Sequence, residues 1–276
     1  MHLRFTKMHG LGNDFVMIDG VSQKVSITHA KAKKIADRNE GIGCDQVLVV
    51  EPPTSPDSDF RYRIYNSDGS EVENCGNGAR CFAIFVRQRN LTTKTTIRVD
   101  TAGGPLTLKV IDNKHVTVNM GEPEFTPSLI PFNASEESLT YPIQIADNTT
   151  EISAISMGNP HSVAIVDNVD TYPVERIGPI IESHPLFPKR VNAGFMEIIS
   201  PTEVKLRVFE RGVGETRACG TGACAAMVAG RMRNLLDKTV KIHLPGGHLS
   251  ISWEGKGHPV MMTGPTTTVF HGQIRL

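Results

Sequence analysis

The sequence predicts two domains of one plan, each an antiparallel-rich β-sheet curled around a single apolar helix. Three observations predict it. Cys75-Gly-Asn-Gly-Ala and Cys219-Gly-Thr-Gly-Ala are near copies at an offset of 144 residues, and Gly12-Asn13 and Gly158-Asn159 repeat at an offset of 146. Two separate features recurring at nearly one spacing point to an internal duplication. Each Cys-Gly-x-Gly-Ala run opens an apolar stretch, and a helix that is apolar all round is a buried one. The remainder of each half reads as short strands separated by Gly and Pro turns.

The elements follow in order. A strand-like Leu3-Arg-Phe5 leads through the Gly-rich turn His9–Asp14 into the apolar Phe15-Val-Met-Ile-Asp19. Thr28 is a candidate N-cap for a short helix running to Arg38, which Gly41 and Gly43 stop. Val47–Val50 and the alternating Phe60–Tyr65 read as strands. Phe82-Ala-Ile-Phe-Val86 leaves the first central helix no polar face, and strand candidates fill Thr95 to Met120. The second half repeats this plan. Ile152–Met157 and Ser162–Val166 are strands around Gly158-Asn159-Pro160-His161, and a helix covers Val174–Ser183. Strands at Phe195–Ile199 and Val204–Phe209 precede Glu210-Arg211-Gly212 and the second central helix, Ala223–Met232. The domain boundary falls near Gly121-Glu-Pro123, where Pro and polar residues begin to accumulate.

Composition narrows the function. The 276 residues carry 29 basic and 29 acidic side chains, so no bulk field draws nucleic acid or an anionic membrane. The N-terminus lacks the apolar core of a signal peptide, and no stretch approaches the roughly 18 apolar residues of a spanning helix. Five cysteines are odd in number and sparse, which argues against a disulfide scaffold and for a reducing cytoplasm. No C-x-x-C pair, Walker sequence or dinucleotide fingerprint is present, so neither a metal nor a nucleotide cofactor is expected.

The duplicated cysteines carry the chemistry. A free thiol titrates near about 8.5, and a helix N-terminus favours its anion through the dipole and the free N–H groups. Glycines after the cysteine let a ligand approach bare backbone, and the same N–H groups can bind a carboxylate. Two such motifs suit removal of a proton from one face of an amino acid's α-carbon and its return to the other, one sulfur as thiolate and one as thiol. Asn13, Asn66, Asn159 and Asn192 lie at expected strand ends or turns, where neutral amides bind a zwitterion without adding charge. Glu210 and Arg211 offer a carboxylate for an ammonium group and a guanidinium for a second carboxylate. Cys81 and Cys224, inside the apolar helices, and Cys44 read as bystanders.

An ordered set of motifs then matches a family. MHGLGNDFVMID, Gly41-Ile-Gly-Cys-Asp-Gln46, Tyr65-Asn-Ser-Asp-Gly69, ENCGNGARC, Met157-Gly-Asn-Pro-His161, Phe209-Glu-Arg-Gly212 and ACGTGACA resemble the diaminopimelate epimerase family along essentially the whole chain. The resemblance implies a cofactor-independent isomerase interconverting LL- and meso-diaminopimelate on the route to lysine and peptidoglycan cross-links. It implies two pseudo-symmetric α+β domains, each a barrel-like mixed sheet wrapped around a central helix, with residues 1–119 and 265–276 in one and 120–264 in the other. It also implies a cytoplasmic homodimer. Carried onto this chain, Cys75 and Cys219 are the base and acid. Asn13, Gln46, Asn66, Gly76, Asn77, Asn159, Asn192, Glu210, Arg211, Gly220 and Thr221 contact the substrate, and His161 and Glu210 tune the thiols. Two departures stand out: Cys44 replaces a usual Ala, and Asn192-Ala-Gly-Phe195 replaces a usual Asn-Val-Asn-Phe. Phe270 sits near a position where a tyrosine has been linked to dimerisation.

Two other functions compete. One is a related cofactor-free racemase of the proline or hydroxyproline type, against which the Asn set with Glu210-Arg211 argues. The other is a thiol redox protein using a Cys75–Cys219 disulfide.

Overall fold

A computed structural model of the chain describes residues 2–72, 76–145 and 148–275. It divides into two units, Met1–Asn119 with Thr263–Leu276, and Met120–Met262. The first opens with β1 (His2–Gly10) and β2 (Asn13–Asp19), an antiparallel pair joined by Leu11-Gly12. Both turn residues have positive φ, 58° and 88°, the conformation whose twist matches that of the flanking strands. Thr28 caps α1 (His29–Ala36), its hydroxyl accepting the Lys31 N–H at 3.4 Å. The helix ends at Ala36, short of the expected Arg38. The N–H groups of Ile42 and Gly43 turn back onto the Ile35 carbonyl and that of Cys44 onto Ala36. They take the acceptors that a further helical turn would have used.

β3 (Gln46–Glu51) lies parallel to β2, β4 (Phe60–Asn66) antiparallel to β3, and β5 (Glu71–Val72) antiparallel to β4. The chain passes through α2 (Gly76–Gln88) to β6 (Thr96–Thr101), which is parallel to β4. β7 (Gly104–Val110) and β8 (His115–Asn119) follow as antiparallel neighbours. A parallel pair cannot be closed by a hairpin, so α1 and α2 are the two crossovers this topology demands. α2 packs against β1, β2 and β3 as well as β7 and β8, so the sheet is curled around it. Asn77 through Val86 are buried there without a break.

The second unit has the same order. β9 (Tyr141–Ile145), β10 (Asn148–Ser156) and β11 (Pro160–Ile165) are successive antiparallel neighbours. α3 (Val174–Glu182) crosses to β12 (Asn192–Ser200), parallel to β11, and β13 (Glu203–Glu210) and β14 (Gly214–Thr216) continue antiparallel. α4 (Gly220–Met232) crosses to β15 (Thr239–Leu244), parallel to β13, and β16 (Gly247–Ser252) pairs with β15. β17 (Met261–Pro265) spans the junction of the units, and β18 (Thr267–Arg275) closes the first unit antiparallel to β1. α4 touches β10 through β13 as well as β15 and β16, and is buried from Gly222 to Gly230. Among the described residues no helix is long and apolar enough to cross a membrane.

The short strands β5 and β14 were not expected. Each is a brief return against β4 or β13, and it leads the chain to the start of a central helix. The second glycine of each Cys-Gly-x-Gly-Ala run also has a reason other than ligand access. A Cβ on Gly78 would lie 2.3 Å from the Tyr62 hydroxyl, and one on Gly222 would lie 3.0 Å from Val208 and 3.2 Å from Cys219 Sγ. These glycines let a helix N-terminus sit directly against the sheet. Gly78→Ala is therefore expected to lower the unfolding free energy by about 1–3 kcal/mol through overpacking. The measurement is a shift of the urea midpoint at constant slope; an unmoved midpoint contradicts the close packing.

Candidate active site

In the first unit the polar residues collect where β2 and β3 begin and β4 ends, beside the start of α2. Phe15 pairs with Gln46 and Gln46 with Asn66 in the ladders, so the strands run further into the polar segments than their apolar cores suggest. Gln46 Nε2 donates to Asn66 Oδ1 at 2.9 Å, and Asn66 Nδ2 donates to Ser70 Oγ at 3.3 Å. Gln46 Oε1 is buried with no hydrogen-bond partner among the described residues. Asn77, in the first turn of α2, donates to Asn13 Oδ1 at 3.3 Å, and Asn13 donates to Asp45 Oδ2 at 2.9 Å. Gly76 is the first residue of α2. Cys75 lies outside the described residues.

Around this set stand charges that sequence reasoning did not select. Asp14 and Asp45 clamp one another's strands: Asp45 N–H donates to Asp14 Oδ1 at 2.9 Å and Asp14 N–H to Asp45 Oδ2 at 3.0 Å. Arg38 bridges both carboxylates, and Lys7, itself buried, pairs with Asp14 at 2.6 Å. Burial pushes the Asp14 carboxyl up, but Arg38 and Lys7 outweigh it and hold the group well below the ordinary carboxylate range. Arg80 is fully buried on α2 and gives Nη2 to Asn77 Oδ1 at 2.8 Å, which leaves the Asn77 amide N–H to Asn13. The signal was present in sequence: Asp14, Asp45 and Arg80 all fall within the quoted motifs. The Cys44 thiol, pushed up to about 12 chiefly by burial, is inert packing.

In the second unit His161 is paired with Asn192 across the parallel ladder, and Ala193 with Phe209, so Asn192 and Glu210 are neighbours at one end of the sheet. Asn159 follows Gly158, whose φ is +86°, and repeats the geometry of Gly12-Asn13. Its amide donates to Thr221 Oγ1 at 3.4 Å, the counterpart of the Asn77–Asn13 bond. His161 is buried and its Nε2 lies 3.0 Å from Asn159 Oδ1. That oxygen accepts only, so Nε2 carries the proton. Burial, with Arg211 adding to it, lowers the imidazole to about 3, and the ring is neutral. Asn192 is buried with both ends of its amide engaged, Nδ2 on the Pro160 carbonyl at 3.1 Å and Oδ1 on the Arg211 N–H at 2.9 Å.

Cys219 is the N-cap of α4, with Gly220 and Thr221 opening the helix. Its Sγ lies 3.7 Å from Thr221 Oγ1. Burial pushes the thiol well above its ordinary value and the Glu210 carboxylate pushes it further, against the downward pull of the Gly222 N–H and Thr221 hydroxyl. The expectation that the helix end acidifies this thiol is therefore outweighed: desolvation costs the anion more than the N–H groups return. Burial likewise raises Glu210, which accepts hydrogen bonds from Thr216 and from the Cys219 thiol. The unit thus holds a protonated sulfur against a buried carboxylate. Cys81 and Cys224 are buried within α2 and α4. Among the described residues no group of three or more His, Cys, Asp or Glu is arranged to hold a metal ion.

This arrangement has close relatives. The family model described as diaminopimelate epimerase matches residues 5–126 and 153–269. The diaminopimelate epimerase of Teredinibacter turnerae is 66% identical over 276 residues and covers 100% of both chains. That of Thioalkalivibrio sulfidiphilus is 58% identical over 276 residues, covering 99% of each. A hydroxyproline epimerase from Agrobacterium vitis, solved with bound trans-4-OH-L-proline, superposes with a TM-score of 0.71 at 15% identity, covering 99% of this chain and 92% of that one. A Bacillus anthracis phenazine biosynthesis protein of the PhzF family gives a TM-score of 0.69 at 15% identity with 100% coverage of both. The two solved structures share the fold, whereas the full-length identities and the family match reach further: the chain belongs to the diaminopimelate epimerase family.

Proposed function

We propose that this enzyme interconverts LL- and meso-diaminopimelate by two-base proton transfer at the α-carbon, with Cys75 and Cys219 as the pair and no cofactor. The observation that carries the reading is the placing of Cys219, buried as the N-cap of the central helix α4 and beside Glu210, where burial favours the thiol over its anion. A thiolate at Cys75 removes the α-proton, and the electron pair left on carbon spreads into the substrate carboxylate. Cys219 delivers its proton to the opposite face, which leaves Cys75 as thiol and Cys219 as thiolate. Reversal of the roles serves the other isomer.

Helix N–H donors at Gly76, Asn77, Gly220 and Thr221 take up the charge that develops on the carboxylate. Asn13, Gln46, Asn66, Asn159 and Asn192 set the polar walls, and Gln46 Oε1 is an acceptor available to a substrate ammonium group. Glu210 and Arg211 serve an ammonium group and a carboxylate. Glu210 also keeps Cys219 protonated, while neutral His161 orients Asn159 without adding charge. We further infer a cytoplasmic homodimer on the route to lysine and peptidoglycan cross-links; Phe270 on β18 is 45% exposed, and sedimentation at two concentrations tests the dimer.

The reading predicts that reduced protein incubated with LL-diaminopimelate in D₂O, without pyridoxal phosphate, forms the meso isomer with deuterium at the α-carbon. No exchange and no isomer sinks it. Cys75→Ser and Cys219→Ser are each expected to lower kcat/KM by at least about 100-fold, the usual scale of a positioned acid or base. Cys81→Ser should retain turnover, and full activity in either of the first two variants refutes the two-base scheme.

A pH prediction follows from His161. Its folded value of about 3 lies below the ordinary 6.5, so between those values the unfolded chain binds more protons and stability rises with pH. Wild-type stability should therefore fall as pH drops below about 6.5, and His161→Gln should fall less steeply in urea melts at pH 7 and 5. Equal slopes contradict a neutral buried ring.

A further inference from the structure

Glu182 is the last residue of α3, and its side chain is 2% exposed. A carboxylate at a helix C-terminus opposes the dipole, and burying one is costly unless it is paired. Both oxygens are engaged: Oε1 accepts the Gly212 N–H at 2.9 Å, and Oε2 pairs with the Arg190 guanidinium. Its main-chain carbonyl accepts the Val191 N–H at 3.0 Å. One residue thereby grips the chain beside Asn192 and again beside Arg211. The Asn192 side chain closes the ring by accepting the Arg211 N–H, and Arg211 Nη1 reaches back to the Lys189 carbonyl at 3.2 Å. One turn earlier on α3, a Cβ on Gly178 would lie 2.5 Å from the Phe209 ring, so the helix also abuts the residue before Glu210. Arg190 adopts φ +61°, an uncommon conformation for a non-glycine residue.

We propose that Glu182 is a positioning residue for the epimerase reaction: its buried carboxylate latches the Arg211-Gly212 turn to the end of α3 and so sets the aim of Arg211 on the substrate carboxylate. This rests on the functional reading of Arg211 above. Without the latch, the turn stays joined to β13 and β14 but loses the acceptor that fixes Gly212.

The test compares Glu182→Met, which keeps volume and removes the acceptor, with Glu182→Gln, which keeps an oxygen for Gly212. Glu182→Met is expected to raise KM for LL-diaminopimelate about tenfold while kcat changes less than about threefold, the pattern of lost binding rather than lost chemistry. Glu182→Gln should restore most of the KM. Hydrogen exchange should quicken at residues 208–216 in Glu182→Met and stay unchanged in β15 and β16. An unchanged KM in the Met variant, or equal damage in Met and Gln, overturns the proposal. Should the Met variant not fold, the wild-type Gly212 amide still decides: protection comparable to the sheet supports the latch, and exchange at the rate of an open turn overturns it. If wild-type protein fails to epimerise diaminopimelate, the functional reading falls, whereas the exchange comparison still judges the latch.

Discussion

How closely a helix N-terminus can approach the sheet that wraps it governs the rest of this structure. At Gly78 the space for a Cβ is already filled by the Tyr62 hydroxyl, and at Gly222 a Cβ would crowd Val208 and the Cys219 sulfur. That contact brings the first helical turn to the level where the strands end, so Asn77 meets Asn13 and Thr221 meets Asn159 by the same kind of bond. A side chain at either glycine would lift the helix and separate the N–H donors from the amides on the strands.

Burial then decides the electrostatics. At Cys219 a helix end and a dry environment act in opposite directions, and the dry environment with Glu210 prevails. The Cys219 sulfur is consequently held in its thiol form. The units solve the burial of charge differently. The first uses Lys7 and Arg38 on a pair of aspartates that tie β2 to β3. In the second, the buried Glu182 carboxylate is answered by Arg190 and a backbone N–H. Both latches grow from the crossover helix or the loop after it, the natural place to hold the ends of a parallel pair.

Much of the fold was legible in sequence because periodicity and punctuation report it directly. The alternation in Phe60–Tyr65, the Thr28 cap and the unbroken apolar run at Phe82–Val86 each announce an element. The ends of elements were less legible: Gly41 and Gly43 announce that α1 stops, but not that the loop through Gly43 folds back onto the Ile35 and Ala36 carbonyls and ends the helix two residues early. β5 and β14 are too short to carry a pattern. Arg80, Asp14 and Asp45 were overlooked because a charged residue read alone looks solvated, and only the three-dimensional pairing shows Arg80 buried against Asn77 and the two aspartates bridged by Arg38.

The sequence by itself determined the duplication, the central helices, the identity of the polar residues at the strand ends and, through ordered motifs, the family. These depend on local composition and spacing, which the chain displays openly. Tertiary structure decided the protonation of Cys219, the neutrality of His161, the use of Asn192 as a bridge and the grip of Glu182 on Gly212. Each of these turns on desolvation or on a partner distant along the chain. The free energy of a charge depends on what surrounds it in space, and no residue's neighbours in sequence specify that.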